Sequence, residues 1–141
     1  MRSWRRDRHP VPARIRRALA AIFEEPVDDV DISVQPLYVR LHGRRVRATT
    51  RPNRICLGCD VEAFLEDPEL VLHEYYHVLR QWNPGILNRY RYLLECRRKG
   101  YFHNRYEVEA RAFARENLQR FKSLLTADPP IESDVNRTES Q

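Results

Sequence analysis

The run His73-Glu74-Tyr75-Tyr76-His77 combines residue types with a spacing that suits metal chemistry. On a helix, residues four apart lie about 40° apart around the axis, so both imidazoles face the same way. Two such nitrogens can bind Zn²⁺ at roughly 2.0–2.1 Å. Glu74 lies about 100° away from His73, where it can act as general base on a zinc-bound water. The alternative is a pair of ordinary core histidines.

A zinc ion held by two histidines needs a third protein ligand, and two later carboxylates could supply it: Glu107 and Glu109. They are two positions apart, so on a helix they point about 200° away from each other. Glu107 shares its face with the apolar residues that follow it: Ala110, Ala114, Leu118, Phe121 and Leu125. A carboxylate on an apolar face is costly unless it is paired or bound to metal. The helical phase therefore predicts Glu107 as the ligand, with a buried Glu107–Arg111 salt bridge as the alternative.

Two histidines, a glutamate and an open position for water describe a catalytic type of zinc site. A hydrolytic reaction at such a site also needs a donor to the oxyanion. Tyr101, Tyr106 and Arg111 lie close in sequence to Glu107 and are candidates for that role or for the second coordination shell. The alternative role for the tyrosines is amphipathic packing.

The elements that must position these residues form an α+β pattern. Helices are predicted at 13–23, from Pro68 to Trp82 with Asp67 as N-cap, at 87–98, and from 104–106 to 125. Strands are predicted at 30–34, 37–41, 46–50 and 55–57, with His42-Gly43 as a hairpin turn and Arg51-Pro52-Asn53 as another turn. The predicted fold is an N-terminal helix, a small sheet or hairpin, the HExxH helix, and then helices carrying the glutamate.

Length and composition predict one domain of the 141-residue chain at 13–126, a basic flexible segment at 1–12 and a disordered tail at 127–141. No apolar run approaches the ~20 residues of a membrane helix, and no apolar stretch follows the basic N-terminus as in a signal peptide. We therefore expect a soluble cytoplasmic protein. The net charge is +5, and the N-terminal arginines favour either a solvated terminus or, less strongly, a nucleic-acid-binding arm.

Three cysteines, an odd number, argue against a disulfide framework. Cys56 and Cys59 form a C-x-x-C pair, and Cys96 with His103 could complete a structural metal site. The simpler interpretation is a pair of thiols at the end of a strand.

Three segments together resemble the compact bacterial zincin-like domain associated with extracellular contractile injection systems and related metallopeptidase-like proteins. They are Ala48–Ile55, Leu70–Gln81 and Tyr106–Arg111. The resemblance covers roughly residues 44–118 and implies a minimal gluzincin.

This resemblance implies zinc at His73, His77 and Glu107, and catalysis at Glu74. Gluzincin helices often carry an aspartate four residues after the glutamate, which orients a zinc-bound histidine. Arg111 occupies that position here and can only donate hydrogen bonds. Either another residue orients the histidine, or the site binds metal more weakly than is usual for such helices.

Two functions follow from these patterns. The first is a zinc-dependent metallopeptidase-like hydrolase acting on a peptide or protein, with Val46–Leu57 as the edge strand that pairs with substrate. The second is a non-catalytic zincin-fold binding or assembly module, which the short chain and Arg111 favour. The sequence identifies neither a specific substrate nor an oligomeric state.

Overall fold

The computed structural model describes residues 8–43, 46–100 and 103–127, and these residues form a mixed α+β fold. The strands are β1 (Arg8–His9), β2 (Asp31–Val34), β3 (Ala48–Arg51) and β4 (Arg54–Leu57). The helices are α1 (Ala13–Phe23), α2 (Pro36–Arg40), α3 (Val61–Leu65), α4 (Pro68–Tyr76), α5 (Arg89–Lys99) and α6 (Arg105–Ala127). A π-helical turn, His77–Trp82, continues α4 directly.

The four strands form one sheet in the order β1-β2-β4-β3. The central strands β2 and β4 are parallel, with Ile32 beside Ile55, and both side chains are almost completely buried. β3 is antiparallel to β4, and within the described part of the chain it pairs with no other strand. The sheet therefore presents β3 as an edge, whereas Arg54–Leu57, the other half of the predicted edge segment, lies in its interior.

The core lies where α1, α4 and α6 pack together beside the sheet. Phe23 at the end of α1 is fully buried and stacks on Phe113 of α6, with ring centroids 5.0 Å apart. Leu72 of α4 and Phe64 of α3 are also fully buried. Each such side chain contributes roughly 1.5–3 kcal/mol through burial. This packing holds α4 along α6, and the site residues lie on those two helices.

The start of α4 follows the predicted capping pattern. Asp67 accepts a hydrogen bond from the backbone N–H of Leu70 at 3.2 Å, and Pro68 occupies the first turn. The helix then widens into the π-helical turn instead of ending as a regular α-helix. π-Helical turns are rare and are frequently found at functional sites.

Two side-chain contacts tie the β3–β4 hairpin to the end of this turn. Trp82 Nε1 donates to Thr50 Oγ1 at 2.9 Å. Asn53, in the left-handed region at φ 55°, exchanges hydrogen bonds with Asn83: its N–H donates to Asn83 Oδ1 at 3.0 Å and its Oδ1 accepts from Asn83 Nδ2 at 2.7 Å. The edge strand is thereby held beside the helix that carries the histidines.

The predicted strand at 37–41 is wrong. Pro36 fits the first turn of a helix, and the segment forms α2. On a helix alternating residues point in different directions, so Val39 is buried while Leu37 and Leu41 are 78% and 85% exposed. The turn predicted at 42–43 therefore joins no hairpin, and the hairpin that forms is β3–β4. The four predicted helices are present, and α3 was not predicted.

Two of the N-terminal arginines, Arg8 and Arg16, contact acidic residues of the same chain. Arg8, in the segment predicted to be flexible, lies in β1 and forms an ion pair with Asp31 at 2.8 Å. Arg16 forms an ion pair with Asp28 at 3.0 Å. Residues 1–7 and 128–141, which hold the rest of the predicted arm and almost all of the predicted tail, lie outside the described residues. Within those described, no helix has the length and apolarity that crossing a bilayer requires.

Candidate metal centre

The two histidines of the HExxH segment turn their rings toward one point. His73 lies in the last turn of α4, and His77 is the first residue of the π-helical turn. Their Nε2 atoms are 3.1 Å apart, and the ring centroids are 4.8 Å apart. His77 is buried and His73 is partly exposed. The predicted sharing of one helix face is therefore present in the fold.

Of the two candidate carboxylates, only Glu107 reaches these rings; Glu109 is exposed, and its carboxylate accepts a hydrogen bond from Gln81 Nε2 at 3.4 Å. Glu107 Oε2 lies 3.0 Å from His73 Nε2 and 3.3 Å from His77 Nε2. Among the described residues, these three side chains are the one group of three or more histidines, cysteines or carboxylates whose ligand atoms converge closely enough to hold a metal ion. The choice of Glu107 over Glu109 from helical phase agrees with this placement.

Gln81 orients His77. The Nδ1 of His77 lies 2.6 Å from Gln81 Oε1, and Gln81 Nε2 donates to the backbone carbonyl of Tyr106 at 3.0 Å. Because the amide nitrogen faces a carbonyl, the amide oxygen must face His77, and Nδ1 is the nitrogen that carries the proton. The Nε2 of neutral His77 is then unprotonated and can bind a metal.

This contact resolves the difficulty that Arg111 raises. Gln81 is 1% exposed and lies four residues after His77 within the π-helical turn, so it reaches the histidine from the same segment of chain. The tertiary contact with Tyr106 fixes the orientation of the Gln81 amide. Arg111 is half-buried one turn beyond Glu107 on α6.

The electrostatics of the three converging groups favour a proton or a cation between them. Burial alone would lower the pKa of His77, but the hydrogen bond to Glu107 and the charges of Glu107 and Glu74 raise the pKa to about 9. Burial would raise the pKa of Glu107, but hydrogen bonds from His73 and His77 hold it well below its ordinary value of 4.5. A carboxylate kept ionised and buried is the state that a metal ligand requires.

Glu74 differs from Glu107 in its surroundings. It is 6% exposed, its carboxylate accepts no hydrogen bond from any residue that the structure describes, and it lines the cavity next to the histidines. Burial raises its pKa, and the nearby His77 and His73 lower it in part. A carboxylate with a raised pKa and no fixed partner is suited to taking up a proton.

The predicted oxyanion donors are placed differently from one another. Tyr101 lies outside the described residues. The hydroxyl of buried Tyr106 accepts a hydrogen bond from Arg105 at 3.4 Å, and its carbonyl supports Gln81. Sequence analysis did not select Tyr92 of α5, whose hydroxyl donates to Glu107 Oε1 at 3.3 Å. Helical phase could not find Tyr92, because its position depends on how α5 lies against α6.

Comparisons with known proteins add no identification. No known protein family, no curated protein and no solved structure matches this chain.

The alternative site of Cys56, Cys59, Cys96 and His103 is not assembled among the described residues. Cys56 is buried in β4, where its sulfur accepts a long hydrogen bond from Ser33 at 4.0 Å. Cys96 lies on α5 and accepts a hydrogen bond from Asn104 at 3.3 Å. All three cysteines are free thiols, in agreement with the prediction that the chain has no disulfide framework.

A cavity of about 650 Å³ opens beside the three converging side chains. Its base is formed by Glu74, His77 and Glu107, and one wall by the edge strand β3. Residues near the end of α2 and the first turns of α5 form the other walls. This volume lies within the range of pockets that bind small molecules or a few residues of a peptide.

Proposed function

We propose that this protein is a zinc-dependent hydrolase of the zincin-like type and that it cleaves peptide bonds. The observation that carries the proposal is the triangle of His73 Nε2, His77 Nε2 and Glu107 Oε2, with sides of 3.0, 3.1 and 3.3 Å. Ligand atoms about 2.0–2.1 Å from a tetrahedral zinc ion are about 3.3 Å from one another. The triangle is therefore close to the size that one tetrahedral ion requires.

The nature of the three ligands supports zinc over Ca²⁺ or Mg²⁺, which take oxygen ligands almost exclusively. Two imidazoles and one carboxylate leave a fourth position for water or substrate. A zinc ion in such a set polarises a carbonyl group and lowers the pKa of water to about 7.

The residues around this set have separate roles in the proposed reaction. Glu74, free of hydrogen bonds to the described residues, takes the proton of the attacking water and passes it to the leaving amine. Tyr92 lines the cavity, and its hydroxyl turns from Glu107 Oε1 to donate its one hydrogen bond to the carbonyl oxygen as negative charge develops on that oxygen. The edge of β3 pairs with an extended peptide and holds it across the cavity.

The test compares wild type with Glu74→Gln, using Glu69→Gln as a matched control because Glu69 is exposed on the same helix. Zinc content is measured by elemental analysis, and hydrolysis by mass spectrometry of a mixed peptide library. Glu74→Gln should keep its zinc and lose hydrolysis by roughly 10²- to 10⁴-fold, the usual contribution of a general base. Zinc binding without hydrolysis in wild type would instead favour the non-catalytic zincin-fold module.

A further inference from the structure

Two arginines line the cavity without an acidic partner among the residues that the structure describes. Arg51 is the last residue of β3, and Arg89 is the first residue of α5. Neither forms an ion pair with a described residue, although several other arginines of the chain do. Unpaired guanidinium groups beside a candidate active site are available for a ligand.

Arg51 is held in place by a neutral group. Its Nε and Nη2 both donate to the hydroxyl of Tyr38, with Nε at 2.8 Å, and its guanidinium lies over the Tyr38 ring, 4.5 Å from the centroid. A guanidinium has five N–H groups, so the remaining three have no partner among the described residues. Arg51 is thus oriented in advance while its charge is not neutralised.

The charge of the cavity is positive once a zinc ion is bound. Among the residues that the structure describes, the charged ones that line it are Arg51, Arg89, Glu74 and Glu107. The two carboxylates balance the two arginines, so a divalent cation leaves an excess of two positive charges. Trp82 and Leu87 also line the cavity. Because apolar walls lower the local dielectric constant, the excess positive charge attracts a bound anionic group more strongly than it would in water.

We infer that the cavity selects peptides that carry an acidic side chain, with Arg51 and Arg89 as the residues that recognise the carboxylate. This specificity rests on the proposed function, because it names the substrate class of the same site. Charge-assisted hydrogen bonds from a guanidinium to a carboxylate are about twice as strong as neutral ones. A glutamine in place of the glutamate loses that interaction and leaves the arginines facing a neutral group.

The experiment separates binding from cleavage by using the zinc-loaded Glu74→Gln protein, in which hydrolysis should be too slow to consume the peptides during the measurement. The probes are fluorescent hexapeptides of alanine and leucine that carry glutamate, or glutamine as the matched control, at one position at a time. Dissociation constants are measured by fluorescence anisotropy. The best glutamate peptide should bind about tenfold more tightly than its glutamine partner, and 0.5 M salt should reduce this ratio.

Substitution then tests the two arginines. Arg51→Gln and Arg89→Gln should each bring the glutamate-to-glutamine ratio toward one, and Arg51→Lys should keep part of it because it retains the charge. Arg40→Gln on α2 and Arg98→Gln on α5 are matched controls, since both residues are exposed and neither lines the cavity. These controls should leave the ratio unchanged, and thermal melting checks that every variant is folded.

Equal binding of glutamate and glutamine peptides at every position would overturn the inference, as would an acidic preference that survives both arginine substitutions. Wild-type hydrolysis of the same peptides is measured in parallel. If glutamate peptides bind more tightly in a way that depends on Arg51 and Arg89, but the wild type hydrolyses none of them, the acidic specificity is supported and only the peptidase proposal is overturned.

Discussion

The side-chain oxygen of Gln81 lies 2.6 Å from the Nδ1 of His77 and holds that ring with its other nitrogen toward Glu107. The same amide donates to the backbone of α6, so one buried side chain links the histidine helix to the helix that carries the glutamate. This link couples the geometry of the site to the packing of the two helices.

Replacing Gln81 with leucine should weaken zinc binding by roughly 10- to 100-fold, as loss of a second-shell partner usually does. Leucine is similar in volume, so the fold should persist, but Nδ1 of His77 loses its acceptor. Affinity is measured by competition with a chromophoric chelator. Gln119→Leu is the control, because Gln119 is exposed on α6; equal affinities in the two variants would contradict the role of Gln81.

The two glutamates of α6 should differ sharply in metal binding. Glu107→Ala removes the ligand oxygen and should lower bound zinc from one equivalent to nearly none at micromolar concentrations. Glu109→Ala removes an exposed carboxylate two residues away. Gln81 then loses a 3.4 Å contact but keeps its bond to the Tyr106 carbonyl, so this variant should retain the metal. Elemental analysis of both proteins after dialysis is the measurement. The same zinc content in both would rule out Glu107 as a ligand.

Without metal, stability should depend on pH through His77 and Glu107. The native pKa of His77, about 9, exceeds its ordinary value of 6.5, so the native state holds this proton more tightly than the unfolded state. The stabilisation is therefore complete below pH 6.5 and is lost as pH rises toward 9. The native pKa of Glu107 is lowered, so its contribution is present above pH 4.5 and is lost as pH falls below that value.

With zinc present, stability should rise instead of fall as pH increases from 6.5 to 9, because the histidines bind the metal only when Nε2 is unprotonated. Thermal melts between pH 4 and 10, with chelator and with zinc, measure both profiles. In the metal-free Glu107→Gln variant the fall in stability between pH 6.5 and 9 should be smaller. Parallel profiles with and without zinc would show that the metal does not bind these histidines.

The hydrogen bond from Trp82 to Thr50 should contribute about 1 kcal/mol to the free energy of unfolding, a typical value for a partly buried bond. Trp82→Phe and Thr50→Val each remove one partner. In a double-mutant cycle by chemical denaturation, the double variant should be less destabilised than the sum of the singles. Strict additivity would show that this bond does not hold the edge strand to the helix.

The local features of the candidate site could be predicted from neighbouring residues in the chain. The spacing of His73 and His77 requires only that the segment be helical, and the choice of Glu107 over Glu109 requires only the phase of one helix. Asp67 and Pro68 likewise predict the start of α4, because capping depends on neighbouring residues. These predictions agree with the fold because 3.6-residue periodicity is a property of the backbone itself.

Contacts between distant segments could not be predicted in this way, because they depend on how the helices and strands pack. The 3.0 Å approach of His73 to Glu107 joins residues 34 positions apart, and it exists because α4 packs along α6. The roles of Gln81 and Tyr92, and the position of Arg51 against Tyr38, depend in the same way on contacts between elements. The alternation at 37–41 predicted a strand wrongly because a strand also needs a neighbour to pair with, and a local pattern carries no information about neighbours.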